Sequence, residues 1–551
     1  MNPLKSELNK DNTINNDIIK YGPIKLIKLY ILVESNITLP CGFVSNKRSL
    51  YLSVITYNKT ILKICFIIIY MGIPSYFSYI LRNHRHILSD LKQTKFECLY
   101  LDANSIIYEH LDKDNIYQHV LESILEIIKK IDSNKTYICF DGVAPMAKLK
   151  QQKQRRYKSW LTKSILNRKN VFNSNSITPG TLFMEELNDY LEKKLPKDII
   201  LNGPNQCGEG EYKIFNYIRN DNSKKNHLVY GLDADLIMLG LLQYDKNIYL
   251  YRETKYFSYL PFVNVEKEYI MNLEYLGKQI NELLGHKNIK LSIDNYCFLC
   301  FLCGNDFLPH FPSIQIRNHG IEYLIQHYKD SLKSDTLIIN HKINWTNLSR
   351  FFTSLSKEEI TKMKEQIIWK KKRRINTITH EERLNNLPLM DTEKEDYLYQ
   401  NPHKYNEVLF NQIKDDSICN NYLEMLEWTW NYYNGHSIDY TLYYKMNYAP
   451  LFSSLIKHIP CFDEESFLLK SNINYVHPIT QLIYVLPFED YDLIQNINLK
   501  KICEKFISLR QINYDIEYNF CIFFWESHVN FSDLNIKELD NYVLNNLYNN
   551  I

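Results

Sequence analysis

No apolar stretch in this 551-residue sequence reaches the roughly 18–20 residues that a membrane-crossing helix needs. The longest candidate, "ILKICFIIIY" at 61–70, is interrupted by Lys63. Cysteine chemistry is equally thin. Twelve cysteines are scattered along the chain, and no CxxC blocks pair up at zinc-finger spacing. Cys297, Cys300 and Cys303 stand three apart inside an apolar run, which reads as buried helix cysteines rather than as a metal site. Neither a disulfide framework nor a secretory signal is evident, so a reducing compartment is expected, the cytoplasm first and the nucleus as the alternative. The formal net charge is only +2. Any anion or nucleic-acid site must therefore come from local segregation of charge.

What is present is ordinary for a globular chain, with 45% apolar and 23% charged residues. The length allows two or three domains. Residues 1–59 are polar and poor in periodic pattern. From 71 onward, short β-rich runs end in aspartate: "FECLYLD" at Asp102, "KTYICFD" at Asp141 and "HLVYGLD" at Asp233. Helical patterns lie between or after them, as in "NIYQHVLESILEIIKKI" (115–131) and "GEYKIFNYIRN" (210–220). Strands alternating with helices predict a mainly parallel sheet. Such sheets bind ligands outside the carboxyl ends of their strands, so the three aspartates are expected on one rim.

Two acidic clusters and one further acid join them. "CGEGEYK" carries Glu209 and Glu211 at an expected helix start, "LDAD" adds Asp235, and "GNDFLPHFP" adds Asp306. A single strand-end aspartate reads as a turn former, and a first-turn glutamate as a partner of the helix dipole. Seven together would repel one another unless cations stood between them. Hard divalent ions, Mg²⁺ first and Mn²⁺ second, take oxygen ligands and keep substrate phosphates in their shell. A pair of ions about 3.5–4 Å apart suits phosphodiester hydrolysis.

Between Asp141 and Glu185 there is no acidic residue, while nine lysines and arginines occur. "AKLKQQKQRRYKSW" has helix-forming composition and starts just past Pro145. Lys148, Gln152, Arg155 and Arg156 then share a face at i, i+4, i+7 and i+8. A cationic face after Asp141 suits a substrate phosphate next to the bond being cut. A solvated basic face is the plainer alternative. The run Lys370–Arg374 reads as a solvated surface loop, and aromatic-rich text resumes after about residue 400.

The ordered motifs "MGIPSYFSYI", "LYLDANSI", "FDGVAPMAKLKQQKQRR", "NSITPGTLFM", "GEGEYKI", "YGLDADLIMLGL" and "GNDFLPHFP" resemble the Xrn family of 5′-to-3′ exoribonucleases. "NYYNG", "YYKMNYAP" and "HPITQLIYVLP" are similar to motifs of that family's second nuclease segment. The resemblance implies a PIN/flap-endonuclease-like α/β fold, with a helical, aromatic-rich second segment packed on it. It implies an acidic, metal-binding constellation at Asp102, Asp141, Glu209, Glu211, Asp233, Asp235 and Asp306, and a 5′-phosphate pocket at Lys148, Gln152, Arg155 and Arg156. The family histidine that stacks the leading base falls on Tyr108. The family tryptophan positions fall on Tyr440 and Leu442, so Tyr108 and Tyr440 are the expected stacking pair. The implied activity is stepwise hydrolysis of single-stranded 5′-monophosphorylated RNA by a monomer. A flap-type structure-specific DNA nuclease and an inactive RNA-binding relative are the alternatives; none of the acids is lost. The expected layout is an upstream extension over 1–70 with Met71 as the initiator, a nuclease domain over 71–374, a polar linker over 375–400, and the second segment over 401–551.

Overall fold

The computed structural model describes residue 73 and residues 75–167, 172–375, 377–410, 413–460, 466, 474–494, 516–531 and 534–548. The extension expected over 1–70 lies outside the described residues, as do Met71, Arg168 and Lys169.

Seven strands form one sheet: β1 (Leu88–Asp90), β2 (Cys98–Asp102), β3 (Lys135–Cys139), β4 (Ile200–Asn202), β5 (Asn226–Tyr230), β6 (Asn247–Tyr251) and β7 (Tyr269–Asn272). Their order is β1-β7-β6-β5-β2-β3-β4. β6, β5, β2, β3 and β4 run parallel, while β7 and β1 pair antiparallel at one edge. β2 leads outward to β3 and β4, and β5 leads the other way to β6. The topological switch therefore falls between β2 and β5, where crevices open in sheets of this kind.

The helices of this region are α1 (Tyr76–Asn83), α2 (Ala103–Tyr108), α3 (Ile116–Ile131), α4 (Met146–Ile165), α5 (Leu182–Lys194), α6 (Gly210–Asn220), α7 (Asp235–Leu241), α8 (Leu273–Leu284) and α9 (Ile289–Phe301). Both faces of the sheet are covered, and alternate side chains serve the two sides. Leu99 and Leu101 pack with α2, α3 and α5. Cys98 and Tyr100 join the opposite core with α1, α6, α7, α8 and α9. Cys297, Cys300 and Cys303 are buried in or just after α9, as expected of core cysteines.

The chain continues through α10 (Gly320–Leu332), α11 (Trp345–Ser356) and α12 (Glu359–Lys371). The expected linker is not a linker. α13 (His380–Asn385), α14 (Leu387–Met390) and α15 (Glu393–Gln400) occupy it. In the run 370–374, Lys372 and Arg374 are exposed beyond the helix end as expected, but Lys370 is buried and Lys371 is still helical. Buried Lys370 Nζ meets Glu395 at 2.5 Å and Lys371 Nζ meets Asp396 at 2.6 Å, fastening α12 to α15. These residues look polar in sequence because their partners stand 25 residues away. After α16 (Tyr405–Leu409), the long α17 (Asp415–Asn434) buries Tyr422, Trp428, Trp430, Tyr432 and Tyr433. These rings join the same hydrophobic core as α6–α9. Among the described residues, no helix is long and apolar enough to cross a membrane.

Candidate functional site

The parallel strands deliver the acids to one rim. Asp102 is the last residue of β2, Asp141 lies two residues beyond β3, and Asp233 three beyond β5. Glu209 precedes α6 and Glu211 lies in its first turn. Two glycines let these pieces close. Gly208 adopts φ 97°, a conformation that costs glycine little, and exchanges backbone hydrogen bonds with Gly142 and Val143 at 2.9 and 2.8 Å. At Gly210, an added Cβ would stand 3.1 Å from Asp102 Oδ1 and 3.5 Å from Asp141 Oδ1. The Gly210 amide instead donates to Asp141 Oδ1 at 2.8 Å. Asn104 donates to Asp141 Oδ2 at 2.8 Å and accepts from the Asp141 amide at 3.1 Å. Asp141 is thus held by three hydrogen bonds before any ligand arrives.

The "LDAD" turn is closed by the Asp235 amide, which donates to Asp233 Oδ1 at 3.0 Å. Carboxylate oxygens of Glu211, Asp233 and Asp235 converge within 4.8 Å of one another. Burial comes first and neighbouring acids second in raising Asp102, Glu211 and Asp235 well above the usual carboxylate range. Burial also raises Glu209 and Asp233, although Lys148 opposes it. Buried carboxylates in this arrangement call for counter-charge. Asp235 is buried beside the Tyr433 hydroxyl, with no well-formed hydrogen bond to its Oδ1. The donor set is all oxygen and fits a hard divalent cation such as Mg²⁺ or Mn²⁺.

Lys148 sits among the acids. Its ammonium is 2.5 Å from Glu209 Oε1, 2.7 Å from Asp306 Oδ2 and 3.9 Å from Glu211 Oε1. Burial alone would lower its pKa, but Asp306, Glu209 and Glu211 together hold it well above the ordinary lysine value. Gln151, on the same helix, donates to Asp306 Oδ1 at 3.2 Å.

The remaining phosphate candidates lie further along α4. Gln152 is buried with Oε1 lacking a donor, and Arg155 is half-buried. Arg156 donates through Nε and Nη2 to Thr178 Oγ1 at 3.1 and 2.7 Å, and burial lowers its pKa to about 10. Lys148 and Arg156 stand eight residues apart, about 12 Å along the helix axis. Lys148 therefore belongs with the acids in this structure.

Tyr108 ends α2 near Arg156. Tyr440 lies at the other end, where its carbonyl accepts from the Met146 amide at 2.8 Å. Its ring packs on Tyr475 with centroids 4.0 Å apart. Their α4 neighbours, Met146 and Arg156, are ten residues and about 15 Å apart along the axis. Leu442 is partly buried against the core.

Much of the expected cationic wall is occupied by the second segment. Lys150 Nζ donates to the Tyr444 and Met446 carbonyls at 2.8 and 2.9 Å. Lys158 Nζ donates to the Trp525 and Ser527 carbonyls, both at 2.6 Å. Gln154 exchanges two hydrogen bonds with the Val529 backbone, and Lys153 lies over the rings of Tyr484 and Phe531.

Sequence reasoning did not assign Asn104, Gln151, Tyr432 or Tyr433 to the site. The Tyr432 hydroxyl donates to Glu209 Oε2 at 2.7 Å. The Tyr433 hydroxyl is buried in the field of Asp235, Glu211 and Asp306, which raises its pKa further. The available signals were "LYLDANSI" and "NYYNG", but neither told which side chain faced the acids.

An acidic rim lies at the switch point of a helix-flanked, mostly parallel sheet completed by a helical segment, and its oxygen donors suit a divalent cation. The model of the XRN 5′-3′ exonuclease N-terminus matches residues 71–254, and that of the Xrn1 helical domain matches 286–410. The chain belongs to the Xrn family. The 5′-3′ exoribonuclease 1 of Saccharomyces cerevisiae is 33% identical over 350 residues, covering 53% of this chain and 23% of that protein. The Homo sapiens 5′-3′ exoribonuclease 1 is 31% identical, covering 51% of this chain and 20% of that protein. The 5′-3′ exoribonuclease 2 of Eremothecium gossypii is 28% identical, covering 52% and 41% respectively. The aligned part thus spans between a fifth and about two fifths of these relatives. Among solved structures, the catalytic core of Rad2 in complex with DNA substrate covers 57% of this chain with TM-score 0.31 and 14% identity, a likeness too slight to bear on function.

Proposed function

We propose that this chain hydrolyses 5′-monophosphorylated single-stranded RNA from its 5′ end, releasing nucleoside 5′-monophosphates with the help of divalent metal. The observation that carries the reading is the gathering of buried carboxylates, with raised pKa values, at the switch point of the sheet. Asp102, Asp141, Glu209, Glu211, Asp233, Asp235 and Asp306 are the residues that would hold Mg²⁺ or Mn²⁺. When bound, such ions supply the positive charge that favours attack by water on a phosphodiester and the departure of its leaving oxygen.

The protein's own groups do the rest. Asn104 and the Gly210 amide fix Asp141. Lys148 neutralises Glu209 and Asp306 and keeps the site from bursting apart by like-charge repulsion. Arg155, Arg156 and Gln152 line the same helix beyond the acids and are suited to a terminal phosphate, arginine by its forked donors. Tyr108 and Tyr440 offer aromatic faces at either end of this row, and base–aromatic stacking contributes about 1–3 kcal/mol per base. Each cut would leave a fresh 5′-phosphate for the same pocket.

The deciding assay compares 5′-monophosphate, 5′-triphosphate and 5′-hydroxyl RNAs of one sequence, with Mg²⁺ or with EDTA. Rapid loss of the 5′-monophosphate RNA in Mg²⁺ alone is expected. Equal loss of all three, or loss unaffected by EDTA, refutes the proposal. Preferential cutting of flapped DNA would point instead to a structure-specific DNA nuclease.

A further inference from the structure

The catalytic acids and the segment that packs over them meet at one side-chain contact with a specific chemical consequence. Tyr432 lies near the end of α17, 223 residues beyond Glu209, and its hydroxyl donates to Glu209 Oε2 at 2.7 Å. The other carboxylate oxygen, Oε1, is on Lys148. Both oxygens of Glu209 are therefore spoken for, but by partners of different kinds. The lysine is a cation on a flexible stem, whose counter-charge a metal ion could supply instead. The phenol is a neutral donor on a fixed ring.

The ring is fixed on each side. It stacks on Trp428 with centroids 5.3 Å apart and planes 10° apart, and on Tyr212 at 5.3 Å and 25°. Phe307 meets it edge-on at 4.9 Å. Trp428 is itself anchored by its indole N–H, which donates to the Asp439 carbonyl at 2.8 Å. Tyr212 follows Glu211 directly in α6, so the stack ties α17 to the helix whose start carries two of the acids. A ring held this way fixes its hydroxyl oxygen beside one oxygen of Glu209, Oε2.

We infer that Tyr432 is a positioning residue for the metal centre: it holds Glu209 by Oε2 and so presents Oε1 as the ligand oxygen, making the second segment part of the metal site. This rests on the metal-site reading above, although it concerns ion binding and not RNA. Partners that orient a ligating group matter in this way generally, and their loss costs about 10–100-fold in metal affinity or activity.

Tyr432→Phe removes the hydroxyl and leaves the stack with Trp428 and Tyr212 in place. The measurement is calorimetric titration of Mn²⁺ into the RNA-free, full-length protein, with folding checked by thermal denaturation. Tyr444→Phe is the matched control, since its hydroxyl donates to the Tyr448 carbonyl at 2.7 Å rather than to an acid. Tyr432→Phe is expected to weaken Mn²⁺ binding by about tenfold or more, while Tyr444→Phe leaves it at the parent value. In RNA turnover, the Mn²⁺ concentration giving half the maximal rate should rise in step, with much of the rate recovered in excess metal. Unchanged Mn²⁺ affinity in a folded Tyr432→Phe overturns the inference, as does an equal loss in Tyr444→Phe. A parent protein that binds no Mn²⁺ overturns both this inference and the metal-site reading. Normal Mn²⁺ binding without RNA turnover would count against the proposed function alone.

Discussion

Lys148→Met removes the single charge that joins Glu209, Glu211 and Asp306. The lysine and its two nearest acids are about 5% exposed or less, so solvent screens them little. Removing one partner of a buried ion pair costs about 3–5 kcal/mol, because the remaining charge is left uncompensated. For a chain of 551 residues that corresponds to a fall in Tm of about 3–4 °C. The pH dependence follows from the acids. Asp102, Glu211 and Asp235 have folded-state pKa values raised well above those of the unfolded chain. The folded protein therefore holds protons that the unfolded chain has released, and its stability declines as pH rises from about 4 through the raised values. Lys148 keeps its own charge across this window and offsets part of that decline. In EDTA, the Tm difference between parent and Lys148→Met should thus be smaller at pH 5 than at pH 8. Excess Mg²⁺ should narrow the gap at pH 8 by supplying the missing counter-charge. Equal Tm values in EDTA at pH 8, or a gap that widens as pH falls, would refute the reasoning, and a gap indifferent to Mg²⁺ would refute the metal assignment.

Asp233→Asn should lower RNA hydrolysis by a thousandfold or more, about 4 kcal/mol of transition-state stabilisation, while gel-shift binding of RNA persists. Arg155→Ala should cut the preference for 5′-monophosphate over 5′-hydroxyl RNA by roughly tenfold to a hundredfold, the value of one or two charge-assisted hydrogen bonds; an unchanged preference in competition assays would place the phosphate elsewhere. Lys370→Met should destabilise the protein by about 3–5 kcal/mol in denaturant titrations by stranding buried Glu395. The double change Lys370→Met with Glu395→Leu should recover most of that loss, because a packed apolar pair avoids the desolvation cost.

The strand-end acids were legible because strand, turn and helix start are local patterns. β2, α3 and α6 follow the expected text closely, and Asp102, Asp141 and Asp233 reach the rim because parallel strands share a direction. Two strands end short of their aspartates, at Cys139 and Tyr230, leaving Asp141 and Asp233 on the following turns. Pairing across the chain was not legible. No periodicity links Lys370 to Glu395, or Tyr432 to Glu209. The residues 375–400 accordingly looked like a linker although α13–α15 fold there, and "NYYNG" gave no hint of which ring would touch an acid.

The basic helix shows why charge in a sequence is a poor measure of charge available to a ligand. Nine positive residues follow Asp141 without an acid between them, and the simplest expectation is a wall facing phosphate. In the folded chain Lys148 is drawn into the acids, and Lys150 and Lys158 bind carbonyls of the second segment. Lys153 is covered by aromatic rings. These lysines act as fasteners, and an acidic residue on α4 would have competed for them. The absence of acids across this stretch therefore reflects assembly of the two segments as much as attraction for RNA. In the reading proposed above, the described part of the helix leaves a short row for RNA: Gln152, Arg155 and Arg156, one to two helical turns beyond Lys148. A row that short fits one terminal phosphate better than a long backbone track, and discrimination at the 5′ end would then rest on a few hydrogen bonds and not on net charge.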